Sequence, residues 1–179
     1  KHNKRTRGKE KGLTIKGFSY RMRRIIIDTT PLVIHLVGVY NEKLVNRVSL
    51  YNRPEEELKC IDRLVSWADD IFITPYVFAE LFWLTKARLK WDNEDVKKLF
   101  INYKDVIFKF KEIFIGKTEI LNFKHLEFGP TDTSLFLAAK RLKYPILTSD
   151  KTFIAFCKGN KLEVIDFTYP LFNPQFTGI

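Results

Sequence analysis

Residues 25–33 have the sequence IIIDTTPLV, and this stretch decides the fold. Its three consecutive isoleucines are typical of a short strand buried in a parallel sheet, and the strand ends at Asp28. Thr30 followed by Pro31 is typical of a helix N-cap and the first helical residue, so we expect a helix from there to about Val39. The stretch therefore predicts a strand that passes almost directly into a helix, with an acidic residue between them.

The same alternation of short apolar runs and amphipathic segments continues along the chain. A second Thr-Pro pair at Thr74 and Pro75 again predicts the start of a helix. The predicted strands cover residues 25–27, 71–73, 119–121, 146–148 and 163–167, and the predicted helices cover residues 32–39, 55–69, 74–90, 92–114, 131–142 and 151–157. This order predicts an α/β fold with a mostly parallel central sheet and helices on both faces.

The charge of the chain is concentrated at its N-terminal end. Residues 1–24 contain ten Lys or Arg and one acidic residue, whereas the remainder carries a net charge of only +1. We therefore expect a basic arm at residues 1–24 and one domain at residues 25–179. Such an arm is either a solvated tail or a segment that neutralises nucleic-acid phosphates.

Several classes of protein do not fit the sequence. No run approaches the roughly 18 uncharged apolar residues of a membrane helix, so we expect no membrane association. Cys60 and Cys157 show neither metal-binding nor disulfide spacing, which favours the cytoplasm. His35 and His125 have no paired ligand, which argues against zinc. No Gly-rich loop follows the first strand, and Thr30 stands where a haloacid dehalogenase-type phosphotransferase needs a second Asp.

Four acidic residues are candidates for a functional site. Asp28 and Asp150 each follow a short strand, and ligands of parallel α/β sheets bind at the carboxyl ends of strands. Glu80 lies in the apolar segment VFAELFWL, where we expect it to be withheld from water and to need a partner. Asp132 falls in the first turn of a predicted helix. Taken singly, each has an ordinary explanation as a turn or cap residue, an ion-pair partner or a group favoured by the helix dipole.

The four acids together point to metal binding. Neither Glu80 nor Asp132 has a basic residue one helical turn away. Carboxylates that cluster without basic partners repel one another, and a hard cation such as Mg²⁺ or Mn²⁺ removes that repulsion. The set therefore favours a divalent-metal site.

The sequence resembles the PIN-domain family, and especially the toxin ribonucleases of prokaryotic toxin–antitoxin pairs. The resemblance lies in IIIDTTPLV (25–33), ITPYVFAELFWL (73–84) and GPTDTSLFLAAKRLKYPILTSDKTF (129–153). It implies a PIN-like three-layer sandwich and hydrolysis of RNA phosphodiester bonds with one or two Mg²⁺ or Mn²⁺ ions. The family's four acidic positions fall on Asp28, Glu80, Asp132 and Asp150.

The resemblance implies further residues and partners. Thr148 takes the family's hydroxyl position, and Thr30 and Thr148 would orient carboxylates or water. Many members form homodimers and toxin members pair with an antitoxin, so the aromatic-rich residues 78–114 would either supply an interface or fill the core. The alternative function is a non-catalytic module that binds RNA or scaffolds a ribonucleoprotein. Basic residues that flank the last two acids, and would hold RNA, are Lys140, Arg141, Lys143 and Lys151.

Deleting the residues before Arg24 should weaken RNA binding and flatten its dependence on salt, because the arm supplies most of the net charge that releases counterions from RNA. Metal binding should stay nearly unchanged. RNA titrations over a salt series, with full-length and truncated protein, measure both quantities. Equal affinities and equal slopes would show that the arm is a solvated tail or serves a protein partner.

Overall fold

The computed structural model describes residues 23–168, so most of the predicted arm and residues 169–179 lie outside the described part. None of the helices within it is long and apolar enough to cross a membrane. Single 3-10 segments occupy Glu42–Arg47 and Leu126–Phe128. The strands are β1 (Arg24–Ile27), β2 (Asp70–Ile73), β3 (Lys111–Glu112), β4 (Ile146–Thr148) and β5 (Val164–Asp166). The helices are α1 (Thr29–Tyr40), α2 (Pro54–Trp67), α3 (Pro75–Leu89), α4 (Asn93–Asn102), α5 (Lys104–Ile107), α6 (Lys117–Leu121), α7 (Gly129–Leu142) and α8 (Lys151–Gly159).

The strands form one parallel sheet in the order β3-β2-β1-β4-β5. The chain moves outward from β1 through β2 to β3 and then returns to the other side of β1 as β4. Because parallel crossovers are right-handed, the helices before and after this return cover opposite faces of the sheet. The predicted α/β fold is therefore confirmed, and the sheet is wholly parallel among the described residues.

The central strand is buried on both faces. The isoleucines of β1 have no solvent exposure, and neither do Ile146 and Leu147 in the neighbouring β4. A strand covered by helices on both sides has no polar face, which explains why β1 is a continuous β-branched run rather than an alternating one.

One predicted helix cap and one predicted helix start are wrong. The N-cap of α1 is Asp28 and not Thr30, because the Asp28 carboxylate already accepts a hydrogen bond from the Thr29 amide at 2.6 Å. Helix α7 begins at Gly129, where no side chain caps it, so Thr131 lies inside the first turn. The Thr74 cap of α3 is confirmed, since its hydroxyl accepts from the Val77 amide.

Two predicted elements between residues 92 and 121 are also wrong. The single helix expected over residues 92–114 is divided into α4, α5 and the edge strand β3, whose residue Lys111 pairs with Phe72 of β2. The strand expected over residues 119–121 lies in α6, whose start is stabilised by Glu119 accepting from the Gly116 amide at 3.0 Å. In both places a tertiary or capping contact overrides the local pattern.

The last two residues of the predicted arm belong to the edge of the domain. Arg23 pairs with Asp69 at 3.1 Å, and Arg24 pairs with Asp70 at 3.2 Å beside the start of β2. The boundary predicted at residue 24 therefore cuts through a set of contacts that joins the segment before β1 to β2.

Gly38→Ala should destabilise the protein by about 1–2 kcal/mol, because overpacking costs more than the gain in helix propensity. A Cβ at this position of α1 would overlap the side-chain end of Leu58 in α2, and Leu58 is only 6% exposed. Urea unfolding midpoints measure the change. Gly159→Ala is the control, since a Cβ there meets nothing within 4 Å. Equal midpoints for the two variants would show that Leu58 has room to move.

Candidate functional site

Asp28 and Asp150 come together because of the order of the strands. Asp28 directly follows β1, and Asp150 follows β4 by two residues. The two strands are neighbours, and the Asp28 amide donates to the Leu147 carbonyl at 3.0 Å. Chain order reverses between β1 and β4, and in parallel α/β sheets the crevice at such a reversal is the usual ligand site.

A pocket of about 430 Å³ opens at this crevice. Helix α3 brings Glu80 to it and α7 brings Asp132, and the two helices are linked by a buried hydrogen bond of 2.7 Å between Thr74 and Ser134. The pocket thus contains all four acids singled out in the sequence. It is lined by Asp28, Thr29, Thr30, Leu50, Tyr51, Glu80, Leu84, Asp132, Ser149 and Asp150.

Asp28 is the most enclosed of the four acids, with 8% of its surface exposed. Its carboxylate accepts from the Thr29 amide and from the Thr148 hydroxyl, each at 2.6 Å. Burial raises the pKa of Asp28 to about 6, although both hydrogen bonds act in the opposite direction. The carboxylate is therefore held firmly in place, but burial destabilises its ionised form.

Thr148 connects the two aspartates at the strand ends. Its hydroxyl donates to Asp28 and accepts from the Asp150 amide at 3.2 Å. The Asp150 side chain is exposed at the pocket and caps α8 by accepting from the Phe153 amide at 2.8 Å. One buried hydroxyl thus fixes the carboxylate that follows β1 relative to the backbone that follows β4.

Glu80 does not behave as the sequence suggested. The expectation that it is withheld from water is wrong, because its residue is exposed. Trp83, close by in the sequence on α3, is also exposed, at 64%. Glu80 accepts from the Thr29 hydroxyl at 2.7 Å, which makes it the second carboxylate held by a threonine.

Thr29 is the polar residue that sequence reasoning missed. It supplies its amide to Asp28 and its hydroxyl to Glu80, so it joins α1 to α3 at the pocket. Thr30 also lines the pocket, yet its side chain forms no hydrogen bond with residues 23–168. Thr29 directly follows the strand-end acid Asp28, which places it at the site, but the Thr-Pro pattern predicted a role only for Thr30.

Asp132 lies half-buried in the first turn of α7. Its pKa is raised to about 7, mainly by burial and in addition by the charges of Asp28, Asp150 and Glu80. Within residues 23–168, none of the four acids forms an ion pair with Lys, Arg or His. The pocket is therefore a concentration of negative charge that no ion pair within the described part of the chain neutralises.

The four predicted RNA-binding residues lie at the end of α7 and at the start of α8. Lys140, Arg141 and Lys143 lie at the C-terminal end of α7, roughly 12 Å or more along the helix from Asp132. Arg141 pairs with Glu119, and Lys151, which begins α8 beside Asp150, pairs with Asp166 at 2.6 Å. None of the four basic residues lines the pocket. Binding of RNA by these four residues stays a prediction.

The donor set suits a hard divalent cation, because every candidate ligand is a carboxylate oxygen and their charges repel. In the geometry of residues 23–168, however, no three His, Cys, Asp or Glu side chains are placed so that they would hold a metal ion together. Asp28 and Asp150 are turned toward backbone amides as helix caps, and Glu80 toward Thr29. Metal binding therefore remains a prediction that requires these side chains to converge.

Comparison with known proteins gives little further information. No family model matches the chain, and no curated protein matches it. Among solved structures, a domain of a functionally unknown protein from Methanocaldococcus jannaschii DSM 2661 is similar at 19% identity, covering 80% of this chain and 90% of that chain with a TM-score of 0.39.

Asp132→Asn should stabilise the metal-free protein at pH 8 and leave it unchanged near pH 4. The folded pKa of Asp132 is about 7, above the roughly 3.9 of an unfolded aspartate, so its contribution to stability is lost as the pH rises through that interval. Because the group is only half-buried, we expect a gain of about 1–2 kcal/mol, or several degrees in melting temperature. Thermal unfolding in a chelator, at both pH values, measures it.

Asp105→Asn is the matched control, since Asp105 also lies in the first turn of a helix but is exposed. The melting temperature of the Asp105→Asn variant should not rise above that of the wild type at pH 8. Equal shifts in melting temperature for the two variants would mean that burial and the neighbouring acids do not destabilise the ionised Asp132 carboxylate.

Proposed function

We propose that the protein is a ribonuclease that hydrolyses RNA phosphodiester bonds with Mg²⁺ or Mn²⁺ at the pocket of Asp28, Glu80, Asp132 and Asp150. The observation that supports the proposal is the gathering of these acids from four separate segments into one pocket, where no ion pair with residues 23–168 relieves their repulsion. A structural cluster would be expected to contain lysine or arginine, because uncompensated carboxylates destabilise a fold.

The charge of the pocket also restricts the chemistry it can perform. A phosphate group is repelled by four carboxylates, so a nucleic-acid substrate requires a cation between the two. Asp28 and Asp150 would be the central ligands, with Asp132 and Glu80 completing the set. When bound there, Mg²⁺ or Mn²⁺ supplies a Lewis acid that lowers the pKa of water and stabilises charge on the phosphate.

Two threonine side chains hold acids of the pocket in place. Thr148 fixes Asp28 from the side of β4, and Thr29 fixes Glu80 from the start of α1. Each hydroxyl donates a hydrogen bond to a carboxylate, and such bonds commonly set the orientation of carboxylates that bind metal ions. The arrangement restricts two of the four acids before any ligand arrives.

RNA as substrate is supported by the resemblance of three sequence stretches to the PIN-domain family and by the basic residues 1–24. Homodimer formation and pairing with an antitoxin stay predictions from the same resemblance. The alternative that residues 78–114 only fill the core does not fit all of them, since Trp83, Phe108 and Phe114 are 64–78% exposed.

The proposal predicts that the protein cuts RNA when Mg²⁺ or Mn²⁺ is present and that a chelator stops it. Asp28→Asn and Asp150→Asn should each slow cleavage by at least ~100-fold, because several kcal/mol of charge stabilisation are lost. Both variants should fold, since the Thr148 hydroxyl can reverse its hydrogen bond to an amide and Asn remains a good helix cap. Single-turnover cleavage of labelled RNA and Mn²⁺-dependent melting temperatures provide the two readouts.

Glu163→Gln is the control. Glu163 is an exposed acid next to the amino end of β5, whereas the pocket lies at the carboxyl ends of the strands. It should cleave as fast as the wild type. If the wild type binds RNA without cutting it and Mn²⁺ leaves its melting temperature unchanged, the ribonuclease proposal fails and the alternative of a binding module is favoured.

A further inference from the structure

The lining of the pocket includes apolar and aromatic side chains as well as the acids. Leu50 and Tyr51 reach it from the segment before α2, and Leu84 reaches it from α3. Leu50 is 37% exposed. Binding of a metal ion and a phosphate requires polar groups and does not account for these residues. We call Leu50, Tyr51 and Leu84 the apolar wall.

The segment that carries Leu50 and Tyr51 is held by a buried carboxylate. Glu57 in the first turn of α2 is fully buried. It accepts from the Ser49 hydroxyl at 2.7 Å, from the Leu50 amide at 3.0 Å and from the Tyr51 amide at 2.9 Å. A buried carboxylate is costly unless several donors satisfy it, and here all three donors come from one short segment.

Both ends of the segment are also fixed. Before it, Arg88 of α3 donates to the Val48 carbonyl at 2.8 Å, and the guanidinium interacts favourably with the charge of Glu57. After it, Asn52 adopts a left-handed conformation with φ of 57°, which turns the chain into α2. Residues 48–52 are therefore a preorganised part of the pocket, which is a property of binding surfaces rather than of loose connections.

We propose that the apolar wall is a base-binding subsite, in which the base of a nucleotide rests against Tyr51 while its phosphate lies at the carboxylates. The proposal rests on the ribonuclease function proposed above and adds to it the part of the substrate that the wall recognises. A nucleotide joins an anionic phosphate to a flat aromatic base, and the pocket lining combines acids that would hold a cation for the phosphate with apolar and aromatic residues. Aromatic side chains bind unpaired bases of any sequence by stacking.

The volume of the pocket is in keeping with this occupant. About 430 Å³ is large enough for a group of the size of one nucleotide. A base that contacts Tyr51 must leave its stack, so cleavage depends on an unpaired nucleotide at the cut. The subsite thus selects for the local state of the RNA and not for its sequence.

The test uses a set of single-stranded RNA oligonucleotides of one sequence, each with one abasic nucleotide at a different position. Wild-type protein should show one position next to the cut where loss of the base raises KM about ten-fold, as expected for one stacked base. Tyr51→Ala should raise KM for the intact RNA by a similar factor, with kcat within about two-fold, and should lose the dependence on that base. Tyr51→Phe should restore both, because the ring is retained.

Phe108→Ala is the control, since Phe108 is 78% exposed and does not line this pocket. It should keep the wild-type KM and the wild-type response to the abasic position. If Tyr51→Ala cleaves with unchanged KM or still responds to the missing base, the subsite is wrong while the ribonuclease proposal stands. If the wild type cleaves none of the oligonucleotides with Mg²⁺ or Mn²⁺, both proposals are overturned.

Discussion

The parallel pairing of β1 with β4 is the interaction on which the remaining structure depends. It joins segments about 120 residues apart, and at its end the Thr148 hydroxyl reaches the Asp28 carboxylate. The pairing reverses the order of the strands, creates the crevice and buries the isoleucines of β1 on both sides. A slip of one residue would turn every side chain to the opposite face, so the geometry of the site and the packing of the core are fixed by the same hydrogen bonds.

The acids of the pocket have two opposing effects on the fold. Asp28 and Asp150 cap α1 and α8, and in that role they stabilise the helices that follow β1 and β4. Their charges also raise the pKa of Asp132, which shows that the cluster opposes its own ionisation. Because helix caps tie two of the acids to the backbone, the chain tolerates a concentration of charge that free side chains would disperse into water.

The sequence predicted those features that depend on adjacent residues. The strand–Asp junctions and the Thr74 cap are local, because burial of a short apolar run and capping of the next helix involve neighbours in the chain. Residues 111–112 form a strand because they pair with β2, which is distant in sequence, so no local pattern revealed β3. The exposure of Glu80 depends on which side of α3 is left uncovered, and the separation of Lys140 from Asp132 depends on the length of α7. Such properties belong to the assembled layers and are not encoded in spacing.

The short edge strand β3 has a consequence for how the molecule meets others of its kind. It contains only Lys111 and Glu112, both exposed, at one margin of the sheet formed by the described residues. Long, flat and apolar margins recruit strands from neighbouring chains and lead to amyloid-like stacking, whereas short charged ones prevent it. The Lys111 ammonium also pairs with Asp70 at 2.6 Å, and this ion pair holds the lysine side chain at the margin. A central sheet as apolar as this one is thereby protected from growing beyond its own chain on that side.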